Sequence, residues 1–101
     1  MSQKQLEFDR QLDITAIREY RRTKKPVILS EMYQKYILLV YGVCLKYLSK
    51  RELAQDAVKR IYMALPAKVQ KTDINNFREW LYADAINVCN DIIKRKQKGK
   101  K

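Results

Sequence analysis

The sequence contains no histidine, and it has only two glycines, two prolines and two cysteines. Without histidine there is no imidazole base for catalysis and no histidine-containing zinc site. The glycines, Gly42 and Gly99, stand alone, so no glycine-rich phosphate loop is present. Two glycines and two prolines are also too few for a turn-rich β architecture. We therefore expect an all-α protein that is not an enzyme and needs no cofactor.

The two cysteines and the lack of long apolar runs indicate the compartment. Cys44 and Cys89 both fall on predicted apolar helix faces. A disulfide between them is one alternative, but we expect two reduced thiols in the core. The first residues contain no apolar signal-peptide stretch, and no uninterrupted run of about 18 apolar residues follows. We expect a cytoplasmic protein without a transmembrane helix.

Positive charge is what the sequence has in excess. Lysine and arginine number 22 against 11 aspartates and glutamates, for a net charge of +11. On 101 residues, a length that suits one domain, this charge creates a positive field that attracts polyanions. Nucleic acid is the leading partner class, because lysine and arginine contacts with phosphates release counterions. An anionic membrane surface would attract the same charge, so charge alone does not identify the partner.

Hydrophobic periodicity predicts four helices, of which the first is short and the second is long. The first covers roughly residues 14–22, with Asp13 as its cap, after polar and frayed residues 1–12. It ends at a Lys-Lys-Pro sequence, since proline cannot continue a helix. The second covers about residues 28–48 and is the predicted central helix. We expect Gly42 in its middle to allow close approach of a neighbouring helix.

The third and fourth helices begin at capping signals. Ser49, with Glu52 three residues later, predicts a capping box for the third helix. Pro66 is expected to end or kink this helix one residue earlier. Asn76 predicts the cap of the fourth helix. Asp84 lies on the apolar stripe of that helix, where a carboxylate is costly unless paired, so we expect it to bond a basic side chain or a helix terminus.

Three segments, at residues 29–48, 52–62 and 75–97, carry motifs at fixed spacing. The first, LSEMYQKYILLVYGVCLKYL, is similar to the start of region 2 in bacterial sigma factors of the extracytoplasmic-function class, where an LY-x-RY pattern precedes a long hydrophobic helix. ELAQDAVKRIY is similar to the AEDLVQEVF helix, which binds the coiled coil of the RNA polymerase β′ clamp. The most specific segment, NNFREWLYADAINVCNDIIKRKQ, is similar to the promoter-reading helix NFKSWLYTVARNHCLDLLRKRKR.

The resemblance implies a compact four-helix bundle and a set of site residues. It implies contact with the polymerase core through three residues of the third helix: Asp56, Lys59 and Arg60. It implies contact with promoter DNA, preferably the single-stranded −10 element, through residues in and before the fourth helix: Asn75, Asn76, Asn87, Asp91, Lys94, Arg95 and Lys96. The polar stretch before Asn76 corresponds to a loop that captures an extruded base, and the basic end follows the DNA backbone. No metal site is implied.

Two departures from the family pattern keep other functions open. Lys59 and Arg60 stand where the family commonly has glutamine and glutamate. Against a clamp surface that presents arginines, this change replaces an ion pair by repulsion, and such a like-charge contact can cost several kcal/mol. One alternative is therefore a degenerate sigma-like domain that acts through protein partners such as an anti-sigma factor. Another is a generic basic helical nucleic-acid binder, whose binding follows charge alone. Residues 97–101 form a basic tail, and the alternative to DNA contact for the whole basic end from Lys94 to Lys101 is a solvated tail that complements the helix dipole.

The second departure concerns length. A complete sigma factor of this class also has region 4, a helix-turn-helix domain for the −35 element. Residues 1–101 correspond to a single region 2 domain and stop at Lys101, where a linker to region 4 would begin. We expect either a fragment or a reduced relative, and favour the fragment.

Overall fold

The architecture consists of four helices in the computed structural model, which describes residues 2–98, with side chains for 2–96. The helices are α1 (Gln3–Thr23), α2 (Pro26–Leu48), α3 (Arg51–Lys71) and α4 (Phe77–Lys98). No strand occurs within residues 2–98. The expected all-α, four-helix fold is confirmed.

The hydrophobic core surrounds α2, which packs against each of the other three helices. Its inward side chains meet those of α3 and α4 in one buried cluster, whose largest fully buried members include Leu29, Val40, Ile61, Leu65, Phe77 and Leu81. Burial of each such side chain contributes about 1.5–3 kcal/mol. Phe77, the first residue of α4, packs against the rings of Tyr36 and Trp80 at centroid distances of 5.9 and 6.0 Å. The start of α4 is therefore anchored in the core.

The cysteine prediction is confirmed within this core. Cys44 on α2 and Cys89 on α4 are both fully buried, and neither is in a disulfide. Burial raises the pKa of Cys44 to about 12, and it also raises the pKa of Cys89. Both thiols therefore stay protonated at neutral pH and pack as small apolar side chains.

The first helix is much longer than predicted. It begins at Gln3, capped by Ser2, whose hydroxyl oxygen accepts a backbone N–H of the first turn at 3.1 Å. Asp13 is therefore not a cap, and the expectation of a frayed segment over residues 1–12 is wrong for residues 3–12; residue 1 lies outside the described part. Asp13 is 1% exposed and accepts hydrogen bonds from Lys35 Nζ and the Tyr36 hydroxyl of α2. Its distant partners, which no local pattern reveals, explain the error.

The junction between α2 and α3 also differs from the prediction. Ser49 has a φ of 62° and ends α2 in the left-handed conformation, its N–H donating to Leu45 O at 2.8 Å. An N-cap residue needs extended dihedrals, which Ser49 lacks and Lys50 has. Lys50 precedes α3 without a side-chain cap, so the capping box with Glu52 is wrong.

Pro66 does not end α3, and the expectation for Gly42 is wrong; a kink at Pro66 stays a prediction. α3 continues through Pro66 to Lys71, and Val69, beyond the proline, is completely buried. Packing of that last turn offsets the cost of an interior proline, about 3 kcal/mol. Gly42 is exposed, and a Cβ placed on it would meet no atom within 4 Å. Within the part of the chain that the structure describes, it therefore faces open space and no neighbouring helix.

The predictions for Asp84 and Asn76 are confirmed. Lys68 Nζ donates to Asp84 Oδ1 at 2.8 Å, which links α3 to α4, while Asp84 Oδ2 is buried without a partner among residues 2–96. Asn76 Oδ1 accepts the backbone N–H of Glu79 at 3.2 Å and caps α4. None of the helices in the described part of the chain has an apolar stretch long enough to cross a bilayer.

Candidate docking and nucleic-acid surfaces

The residues matched to polymerase binding lie together on the outside of α3. Asp56, Lys59 and Arg60 are all exposed and lie within about 100° of one another around the helix axis. Arg60 and Asp56 form an ion pair across one turn, with Arg60 Nε 2.8 Å from Asp56 Oδ2, and each side chain is half exposed. An exposed pair of this spacing contributes about 0.3–0.5 kcal/mol. The acidic residue is thus paired within its own helix, in a contact that a partner can easily displace.

An apolar groove adjoins these residues between α2 and α3. The groove has a volume of 420 Å³ and is lined by Ile37, Leu38, Tyr41, Gln55, Val58 and Lys59. Leu38 is 84% exposed, and Met63 on α3 is 79% exposed. Contiguous apolar surface, such as the lining of this groove, favours contact with another protein. We call Asp56, Lys59 and Arg60 together with this groove the docking surface.

Sequence reasoning missed the groove, although a signal was present. Residues 37–41 read ILLVY, which is apolar around the whole circumference of α2 and wider than the stripe that the core needs. Val40 from this run is buried, whereas Leu38 projects from the other side. An apolar run wider than one stripe predicts a second apolar surface, and that was the available clue.

Residues 72–76 join α3 to α4 and form what we call the connection. Ile74 is 6% exposed and anchors its middle, and Asn76 ends it as the cap of α4. Asn75, between them, is exposed. The connection therefore has a buried hydrophobic anchor and presents a polar side chain to solvent next to a helix N-terminus, where backbone N–H groups favour anions.

Two arginines of α1, which sequence reasoning missed, bond the backbone around the connection. Arg10 Nε donates to Asn75 O at 3.0 Å. Arg21 donates from Nε to Val69 O at 3.1 Å and from Nη2 to Thr72 O at 2.5 Å. These partners lie between 48 and 65 residues away in the sequence, so no local motif could have revealed them.

The remaining residues matched to DNA binding lie on α4. Asn87, Asp91 and Lys94 are exposed and share a strip about 60° wide, because successive residues turn by about 100°. Arg95 lies about 40° beyond Asp91, whereas Lys96 lies about 160° from Lys94, towards the other side of the helix. The structure thus aligns four of these residues and separates Lys96 from them. The basic tail over residues 97–101 lies outside the described side chains.

The connection and the basic end lie at opposite ends of α4. At 1.5 Å per residue, Asn87 is about 16 Å and Lys94 about 27 Å along the axis from Asn76. At the 3.4 Å spacing of one strand in duplex DNA, this distance corresponds to about eight nucleotides. We call the connection with Asn87, Asp91, Lys94 and Arg95 the nucleic-acid surface.

The fold and these two surfaces define a small, basic, α-helical binding domain. Residues 32–99, more than half of the chain, match the family model for sigma-70 region 2. A search of the curated proteins and a search of the solved structures gave no match. The chain therefore belongs to the sigma-70 region 2 family, and its role is that of a sigma-factor domain in transcription initiation. The finer assignment to the extracytoplasmic-function class stays a prediction.

Proposed function

We propose that the chain is a region 2 module that docks on the β′ clamp coiled coil of RNA polymerase through α3. On this proposal it then holds the opened −10 strand along α4. The observation that supports the proposal most directly is the alignment of the connection, Asn87 and Lys94 along one helix. One continuous strand that runs along α4 could contact all three. This role implies a cytoplasmic location.

On this proposal, one part of the nucleic-acid surface recognises bases and another part binds the phosphate backbone. The connection and Asn87 offer polar groups to bases, and an extruded base next to Asn75 would be read by hydrogen bonds. Unstacking costs a few kcal/mol, offset by contacts with the protein. Lys94 and Arg95 bind phosphates, which supplies affinity independent of sequence and dependent on salt.

Comparison of DNA forms tests this function. The 101-residue chain should bind a single strand or a duplex with an unpaired −10 bubble more tightly than the closed duplex of the same sequence. Fluorescence anisotropy with labelled oligonucleotides at several salt concentrations measures the difference. Equal affinity for any duplex of equal charge would contradict the proposal, because a read-out of unpaired bases requires the strands to be open.

The docking surface supports a second candidate function through protein partners alone. Arg60 already bonds Asp56, and Lys59 adds a further cation beside the apolar groove. Such a surface suits an acidic amphipathic partner, for example an anti-sigma factor, better than a clamp surface rich in arginine. Binding assays with purified anti-sigma domains and with the isolated β′ clamp coiled coil separate the two functions. Capture of the clamp by the unaltered chain would exclude this second candidate.

A further inference from the structure

α1 precedes the segment that matches the family. The match begins at residue 32, whereas α1 covers Gln3–Thr23. The family assignment therefore gives no role to this helix. Yet α1 contacts α2, α3 and α4, and it carries the two arginines whose bonds lie on either side of Ile74.

Arg21 stabilises the end of α3 and the start of the connection. The last carbonyls of a helix have no partner within the helix, and a cation near them is favourable. Arg21 bonds two carbonyls, Val69 O in the last turn and Thr72 O at the helix end. The rigid guanidinium fork fits two acceptors held at fixed positions, which a lysine amine cannot reproduce.

Arg10 holds the other end of the connection. Its Nε donates to Asn75 O, and its Nη1 donates to Glu7 Oε1 at 3.3 Å. Between the two arginine contacts lies the buried side chain of Ile74. The backbone of the connection is thus fastened at both ends and in the middle, while the Asn75 side chain stays exposed.

α1 is itself held firmly enough to position these arginines. Asp13 is buried and accepts hydrogen bonds from Lys35 Nζ and the Tyr36 hydroxyl of α2. Ile17 and Tyr20 add buried apolar contacts. Arg10 and Arg21 are about three helical turns apart, so both face the same side as these contacts.

We propose that Arg10 and Arg21 are positioning residues that keep the connection in the one shape that selects bases. This inference rests on the proposed function for its nucleic-acid part. The arginines act through the backbone of residues 72–76 and do not themselves touch the strand. Loss of their bonds loosens the connection and weakens sequence preference, while binding through phosphates continues.

The test compares charge-preserving variants of the 101-residue chain. Arg10→Lys with Arg21→Lys retains both positive charges and removes the fork geometry. Arg22→Lys is the matched control, because Arg22 is on the same helix and, among the described residues, bonds only Glu19, an exposed neighbour. Hydrogen exchange measures the amides of residues 72–79. Retention of a pool of single-stranded DNA with a randomised central segment, followed by sequencing, measures preference.

We expect exchange at residues 72–79 to rise roughly tenfold in the double variant, and base preference to fall roughly tenfold. Total retention of the pool and its salt dependence should stay within about twofold, since the charge is unchanged. The control should match the unaltered chain in every measurement. Protection of α2 amides, compared in all variants, shows that the bundle remains folded.

Two results would overturn the inference. Unchanged exchange at residues 72–79 would mean that the arginines do not order the connection. Increased exchange with undiminished base preference would mean that order in the connection is irrelevant to selection. If the unaltered chain selects no sequence at all, the proposed function fails, and the exchange measurement alone then decides whether the arginines order the connection.

Discussion

The docking surface and the nucleic-acid surface differ in how they are built. The first combines two helices around an apolar groove, and two of its three charges, Arg60 and Asp56, form an ion pair. The second follows one helix and the connection before it, and its residues are polar or charged and exposed on α4. Binding at the first therefore depends on shape, the exclusion of water and a few local charges, whereas binding at the second depends mainly on phosphate charge. Salt should weaken the second far more than the first.

The largest expected effect is on the docking surface, at Arg60. In Arg60→Glu, a clamp surface that presents arginines meets an acid in place of a cation, so repulsion worth several kcal/mol becomes attraction. We expect affinity for the isolated β′ clamp coiled coil to rise by about a hundredfold, or 2.7 kcal/mol. Isothermal titration calorimetry measures it. Arg18→Glu on α1 is the control with the same change of charge. Tight binding by the unaltered chain that Arg60→Glu weakens would contradict the prediction and show that the cation is used directly.

The second effect concerns phosphate contacts at the end of α4. Lys94→Gln with Arg95→Gln removes two cations from the nucleic-acid surface, and each phosphate contact with a single strand contributes about 0.7 to the slope of log K against log salt. We expect the slope to fall by about 1.4 and affinity at 0.1 M salt to fall about 25-fold for every sequence. Anisotropy titrations at several salt concentrations check this. Clamp binding by the same variant serves as the control and should not change; a sequence-dependent loss would show that these residues read bases.

The third effect, of Asn87→Ala, separates base recognition from phosphate binding. Loss of one side chain that bonds a base costs about 1–3 kcal/mol of discrimination. We therefore expect about a tenfold loss of preference among single strands, with the salt slope unchanged. The control is Asn90→Ala, since Asn90 is exposed on the same helix about 60° away. Equal behaviour of the two variants, measured by competition between oligonucleotides, would favour a generic basic binder.

The smallest effect tests the open side of α2 near the groove. Gly42 lies in the middle of a helix, and alanine there has room and a lower entropy cost. Gly42→Ala should raise the free energy of unfolding by about 0.5–1 kcal/mol, measured by urea denaturation followed by circular dichroism. DNA binding should be unchanged. Destabilisation would mean that another element approaches this glycine after all.

Local signals predicted part of the molecule well. The apolar stripes of α2, α3 and α4 follow the helical period. Asn76 caps α4 because its side-chain oxygen accepts the backbone N–H of Glu79, three residues later. Asp84 was expected to find a basic partner on physical grounds, and Lys68 is that partner. Such interactions depend on one helix, or on the general rule that a buried charge must be paired.

The wrong predictions of helix ends concern residue types that occur at more than one position in a helix. Serine occurs both at the start and at the end of helices, and the left-handed dihedrals of Ser49 show that it ends α2. A proline usually ends a helix, yet α3 continues past Pro66 to a last turn in which Val69 is buried. At Pro66, packing of Val69 in the core was stronger than the local preference.

The sequence by itself determined the helical class, the four amphipathic segments, the reduced cysteines and the family, since all of these depend on periodicity, composition and spacing within a segment. Only the tertiary structure decided the length and role of α1, the buried pairing of Asp13 with Lys35, the apolar groove and the arginine contacts with the connection. These join residues far apart in the chain. A contact between distant residues leaves no periodic trace in the sequence, because it depends on how helices pack and not on how each helix forms.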